Sequence, residues 1–260
     1  MEESFIQYIE QSIKNNWDKP SLTDFKGVTS SYKDVARKIE KLHILFEHSN
    51  IRKGDKIALC SRNMSTWGIA FLATLTYGAV AVPILNEFKP DNIHHIVNHS
   101  EARLLFVGDV VWENLDESAM PDIDGAIRIE DFSLRHSNKK SLTEARERLN
   151  ELFGKKFPER FMAENVKYNY DRPDELAMIN YTSGTTSSSK GVMLPYRSLW
   201  TNLKFALGVF GLTPGEQIVS MLPMAHMYGL AFEFIYEFAS GMHIHFLSRT
   251  PSPKIIADAF

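Results

Sequence analysis

Cysteine is nearly absent from this chain: Cys60 stands alone among 260 residues. No internal disulfide can form, and the expected setting is a reducing cytoplasm. An excess of charge of either sign is also lacking. Lysine and arginine number 29 against 32 aspartates and glutamates, a formal net charge of −3. Nothing in that balance draws the chain to nucleic acid or to an anionic membrane. The opening Met1-Glu2-Glu3-Ser4 has neither the basic nor the apolar part of a signal peptide. Long hydrophobic runs are missing too. The longest, Trp67 to Leu85, is broken by Thr74, Thr76, Gly78 and Pro83, and reads as helix, turn and buried strand rather than a membrane span. With 44% hydrophobic and 23% charged residues, the chain has the material for one large globular domain or two small ones.

What is present is an alternation of helices and strands. Ser31 and Asp34 have the spacing of a capping pair, and Val35, Ile39, Leu42 and Phe46 follow at helical intervals, which predicts a helix over 31–48. A turn at Lys53-Gly54-Asp55 leads into a strand, Ile57 to Cys60. A helix from Trp67 to Tyr77 is ended by Gly78, and Ala79 to Val82 is the next strand. Asp91 to Asn98 reads as helix and Leu104 to Val107 as strand. This succession predicts an α/β fold with doubly wound, largely parallel sheets flanked by helices. Residues 109–170 are less regular, with a short strand at Ile127-Arg128-Ile129 and a charged amphipathic helix over Leu142 to Phe153. The alternation resumes with a helix from Pro195 to Phe210 and a strand from Ile218 to Leu222. A nearly uncharged helix, Tyr228 to Ala239, and a strand, Met242 to Leu247, follow. A further helix opens at Pro251-Ser252-Pro253 and is cut off at Phe260, which suggests a piece of a longer protein. The pattern divides into a first βα unit over about 1–170 and the start of a second over about 171–260.

The chemistry concentrates in residues 181–191, Tyr-Thr-Ser-Gly-Thr-Thr-Ser-Ser-Ser-Lys-Gly. An apolar strand, Leu176 to Ile179, precedes them; Val192 to Leu194 leads to Pro195, a residue suited to a helix's first turn. Glycine lets backbone N–H groups turn toward a ligand, hydroxyls donate to oxyanions, and lysine adds a positive charge. That inventory suits a polyphosphate. A flexible Ser/Thr linker has similar composition but no use for a lysine beside a glycine or for a buried strand upstream. The ordinary Gly-x4-Gly-Lys-Ser/Thr loop fails at two positions, where Ser189 and Gly191 stand, which argues against a simple nucleotide hydrolase.

The stretch resembles Tyr-Thr-Ser-Gly-Thr-Thr-Gly-x-Pro-Lys-Gly-Val, the phosphate-loop signature of the adenylate-forming ligases, matching at Tyr181 to Thr186 and at Lys190, Gly191 and Val192. It departs at Ser187 and Ser189. Further matches are Gly54-Asp55, Asn63 and Gly78 to Pro83, positions read as architecture rather than site. Leu222-Pro223-Met224-Ala225-His226-Met227-Tyr228-Gly229 is similar to the family's Leu-Pro-x-x-His-x-x-Gly motif. Taken alone, His226 reads as a hydrogen-bonded loop histidine. The resemblance implies instead that it helps to place the acid substrate. It also implies that Leu230, Phe232, Phe234, Ile235 and Phe238 wall part of an acyl pocket, although each reads equally well as core.

The form closest to this chain looks like bacterial long-chain fatty-acyl-CoA ligases. The resemblance implies a carboxylate attacking ATP to give acyl-AMP and pyrophosphate, then thioester formation with coenzyme A. By the same resemblance, Thr182, Ser183, Gly184, Thr185, Thr186 and Lys190 bind ATP. Thr186, Lys190 and His226 act in catalysis, and Thr186 holds Mg2+. The expected partners are a fatty acid, ATP and coenzyme A, in the cytoplasm or peripherally at a membrane. The family's Tyr-Gly-x-Thr-Glu segment, ribose-binding aspartate and C-terminal domain with its adenylation lysine are not found here, so these residues alone are expected to be inactive. The alternative is a non-catalytic relative that binds ligand without turnover. His95 and His99 lie four apart without an intervening glutamate and read against a metal site; His243 and His245 read as structural.

Overall fold

A computed structural model describes residues 4–182 and 189–247. Two sheets organise them. Helix α1 (Phe5–Asn15) is followed by a hairpin of β1 (Pro20–Asp24) and β2 (Thr29–Ser31), then α2 (Tyr32–His48). Strand β3 (Lys56–Cys60), α3 (Ser65–Tyr77), β4 (Val80–Pro83), α4 (Pro90–His99) and β5 (Ala102–Val107) come next. After α5 (Asp109–Trp112) follow β6 (Gly125–Arg128), β7 (Leu134–Ser137), α6 (Lys140–Glu147) and α7 (Leu149–Lys156). The second part holds β8 (Leu176–Thr182), β9 (Lys190–Pro195), α8 (Tyr196–Val209) and β10 (Gln217–Ser220). A helical rod of α9 (Met227–Leu230), a π-turn (Ala231–Ile235) and α10 (Tyr236–Ala239) leads to β11 (His243–Phe246).

The larger sheet has seven strands in the order β7-β6-β5-β3-β4-β8-β9, parallel from β6 to β8 with an antiparallel strand at each edge. The smaller has four, β10-β11-β1-β2; β1 pairs in parallel with β11, Leu22 opposite Ile244. Strands from both halves of the sequence thus occur in each sheet.

The main core lies between the sheets and includes α2 and α3. In α2 the capping pair closes as its spacing predicts: the Asp34 N–H donates to Ser31 Oγ and the Asp34 carboxylate accepts from the Ser31 N–H. In α3 nearly every residue is buried, so the helix carries no polar face at all. Phe71 stacks on Trp67, ring centroids 5.4 Å apart, and meets Phe234 edge-on. A second core covers the other face of the large sheet, with Ile93, Ile96 and Val97 of α4 packed over Cys60, Val82, Leu105 and Tyr181.

Four expectations need correction. The helix over Leu142 to Phe153 is two helices, α6 and α7, because Arg148 leaves helical geometry (φ −92°, ψ 5°) and its guanidinium pairs with Glu151. Val192 to Leu194 form strand rather than a lead-in to a helix, and Pro195 caps α8 instead of opening its first turn. The rod from Met227 to Ala239 is interrupted by its π-turn. The opening α1 and the β1–β2 hairpin have no counterpart in the sequence reading. The helix expected from Pro251 lies outside the described residues. No helix among the described residues is long and apolar enough to cross a membrane.

Candidate functional site

The stretch of interest begins at the end of β8 and finishes in β9, the antiparallel pair at one edge of the large sheet. Strand β8 runs parallel to β4, so the chain leaves it at the carboxyl edge of the sheet, where open α/β folds take ligands. Strand β9 returns antiparallel, Thr182 facing Lys190 and Tyr181 facing Gly191 across the ladder. Of the expected ATP-binding residues, Thr182 and Lys190 are exposed. Ser183, Gly184, Thr185 and Thr186 lie outside the described residues, as do Ser187 and Ser188.

The second loop, 221–226, leaves the carboxyl end of β10 in the smaller sheet. Three polar side chains hold it. Asn63 donates to Leu222 O at 2.7 Å and accepts from the Met224 N–H at 2.9 Å. Glu233 Oε2 accepts from the N–H groups of Met221 and Leu222, both at 2.7 Å. Asn180 of β8 donates to Ala225 O at 3.2 Å. That last bond ties β8 to the second loop; Asn180 and Thr182, two residues apart, share one face of the strand. Gly229 is set by close approach, since a Cβ there would lie 2.6 Å from Pro223 O.

His226 itself caps the helical rod. Its Nδ1 accepts from the Tyr228 N–H at 3.4 Å. That bond needs a bare Nδ1, so the neutral ring carries its proton on Nε2. The ring is exposed, and among the described residues Nε2 has no hydrogen-bond partner. Of the candidate residues, Thr182 ends β8 and Lys190 opens β9, and the Asn180 bond ties β8 to the loop that carries His226. Asn63, which the sequence reading left as architecture, and Asn180 and Glu233, which it did not single out, set that geometry. Only the motif match flagged Asn63; the other two look like any polar residue in a strand or helix.

The helical rod carries the residues expected at the acyl wall. Leu230, Phe234, Ile235 and Phe238 are fully buried core; Phe232 is half-buried, and its ring meets exposed Tyr228 at 5.2 Å. The buried carboxyl of Glu237, with Oε2 unpartnered, titrates near 7, raised by burial first and by the Glu233 charge second.

Four of the other histidines, His94, His99, His243 and His245, have hydrogen-bond partners. His99 Nδ1 bonds Tyr181 Oη at 2.7 Å, and His94 Nε2 accepts from the Asp116 N–H at 3.0 Å. His243 bonds Thr23 and His245 bonds Gln217; burial, then its neighbour His245, pushes the His243 imidazole down to about 4. Among the described residues no group of three histidine, cysteine or acidic side chains is arranged to hold a metal ion.

The two-sheet α/β body and its edge hairpin fit the fold of the adenylate-forming enzymes. The chain belongs to the AMP-binding enzyme family, whose sequence profile matches residues 9–260. It is similar to long-chain-fatty-acid–CoA ligase 5 of Rattus norvegicus, 27% identical over 213 residues that make up 76% of this chain and 30% of that one. The long-chain-fatty-acid–CoA ligase of Escherichia coli O6:H1 is 24% identical over 247 residues, 88% of this chain and 43% of its own. The chain thus spans less than half the length of these relatives. Its fold matches the N-terminal domain of FACL13 from Mycobacterium tuberculosis with a TM-score of 0.77 at 18% identity, over 98% of this chain and 60% of the other.

Proposed function

We propose that this chain is the ATP-binding part of a long-chain fatty-acid–CoA ligase. A fatty acid carboxylate attacks the α-phosphorus of ATP, the bond to pyrophosphate breaks, and the acyl-adenylate then passes its acyl group to the thiol of coenzyme A, releasing AMP. The observation that carries this reading is the Asn180–Ala225 bond, which brings the hairpin with Thr182 and Lys190 beside the loop with His226.

The roles follow from chemistry. Attack at a phosphorus ringed by negative oxygens is governed by positioning and by charge stabilisation. The Lys190 ammonium and the Thr182 hydroxyl hold the β- and γ-phosphates and offset charge on the departing pyrophosphate. The Nε2–H of His226 donates to the acid and orients it. The loop residues Ser183, Gly184, Thr185 and Thr186 complete the cradle in this proposal. No step is assigned to Mg2+, whose expected ligand, Thr186, is outside the described residues. These residues alone do not turn over; the activity belongs to a longer protein in the cytoplasm.

Pyrophosphate–ATP exchange driven by a fatty acid tests the reading in the protein as its gene encodes it. Lys190→Ala should slow exchange by about a hundredfold, the effect of one lost oxyanion donor. Ser187 and Ser189, which replace the family's glycine and proline, support a second reading, a non-catalytic relative. Failure of the wild-type protein to exchange with any acid would favour it.

A further inference from the structure

Resting on the reading of Lys190 as a ligand of the ATP phosphates, we propose that His99 is a positioning residue that fixes Lys190 through Tyr181. His99 ends α4, whose Ile93, Ile96 and Val97 pack on the large sheet. Its Nδ1 lies 2.7 Å from Tyr181 Oη, and the two rings meet edge-to-face at 5.8 Å and 86°. Tyr181 is 5% exposed, and burial pushes its phenol upward, so the hydroxyl keeps its proton; it donates to a bare Nδ1 or accepts from Nδ1–H according to the imidazole tautomer.

The Tyr181 ring also meets the other limb of the hairpin. A Cβ at Gly191 would lie 3.1 Å from Tyr181 Cζ and 2.9 Å from Ile179 Cγ2. The ring therefore rests against the Gly191 backbone, directly across the ladder, one residue from Lys190. A rigid helix thus holds a ring, the ring seats a glycine, and the glycine aims the lysine. An aromatic side chain without a hydrogen-bond group at 99 would leave Tyr181 Oη buried and unpaired and free the ring to shift.

MgATP and AMP affinities measured by calorimetry test this, because AMP lacks the phosphates that Lys190 addresses. His99→Phe keeps an aromatic edge and loses the hydrogen bond; Tyr181→Phe loses it from the other side. Each should weaken MgATP binding about tenfold while AMP binding stays near wild type; His99→Phe, which leaves the buried phenol unpaired, should also lower the melting temperature, whereas Tyr181→Phe should leave it close to wild type. The double variant should be no worse than either single one, and His99→Gln, which can still bond the phenol, should recover most of the loss. Wild-type MgATP affinity in His99→Phe, or equal losses for MgATP and AMP, would overturn the proposal. If Lys190→Ala loses affinity while His99→Phe keeps it, this inference alone fails. A wild-type protein that ignores MgATP, or Lys190→Ala that binds it normally, removes the reading of Lys190 as a phosphate ligand and this inference with it.

Discussion

Asn63 shows how much one amide can fix. Its side chain donates to one backbone group and accepts from another two residues on, so the 222–224 segment is held at both ends. Asn63→Ala leaves Leu222 O and the Met224 N–H without those partners. The expected loss is about 1–3 kcal/mol in urea unfolding, and exchange activity should fall further than stability does, because His226 rides on the freed loop. A variant that unfolds earlier but exchanges normally would separate the clamp from the chemistry.

At the scale of elements, the helical rod from Met227 to Ala239 carries two carboxylates with opposite settings. Glu233 is spent on two backbone N–H groups, whereas Glu237, four residues on, is 2% exposed and titrates near 7 against an ordinary value of 4.5. Between those values the folded protein holds a proton that the unfolded chain releases. Glu237 therefore favours the folded state most below pH 4.5, and that contribution disappears as pH climbs to 7. The difference is about 3 kcal/mol. Glu237→Gln should match the wild type at pH 4 and exceed its stability at pH 8, as read from denaturant unfolding at the two pH values.

Elements with local signals were legible in the sequence. Helix α2 announced itself through Ser31 and Asp34, and α3 through its stop at Gly78, because caps and turns depend on neighbours a few residues away. Strand β9 was not legible: as an exposed edge it has no buried alternation to betray it. The pairing of β1 with β11 could not be read either, since the partners lie at opposite ends of the described chain and no short pattern encodes that match. In the site, hydroxyls, lysine and histidine were visible as chemistry. The clamps Asn180 and Glu233 were not, because their meaning lies entirely in which distant backbone atom they reach.

For the whole molecule, the decisive arrangement is one core shared by two sheets. Phe71 sits within it, fully buried against Trp67 and Phe234. Phe71→Ala should cost about 3–5 kcal/mol and lower a single calorimetric transition; two separated transitions would show that the sheets hold themselves up independently. The same architecture gives the solitary thiol an unexpected use. Cys60 is wholly enclosed at the end of β3, and burial lifts its ionisation to about 12. Iodoacetamide reaches it only when the central strands part. Alkylation followed by mass spectrometry would then act as a clock on those openings, running at a rate set by the protein's own breathing. Rapid labelling under native conditions would refute so tight an enclosure.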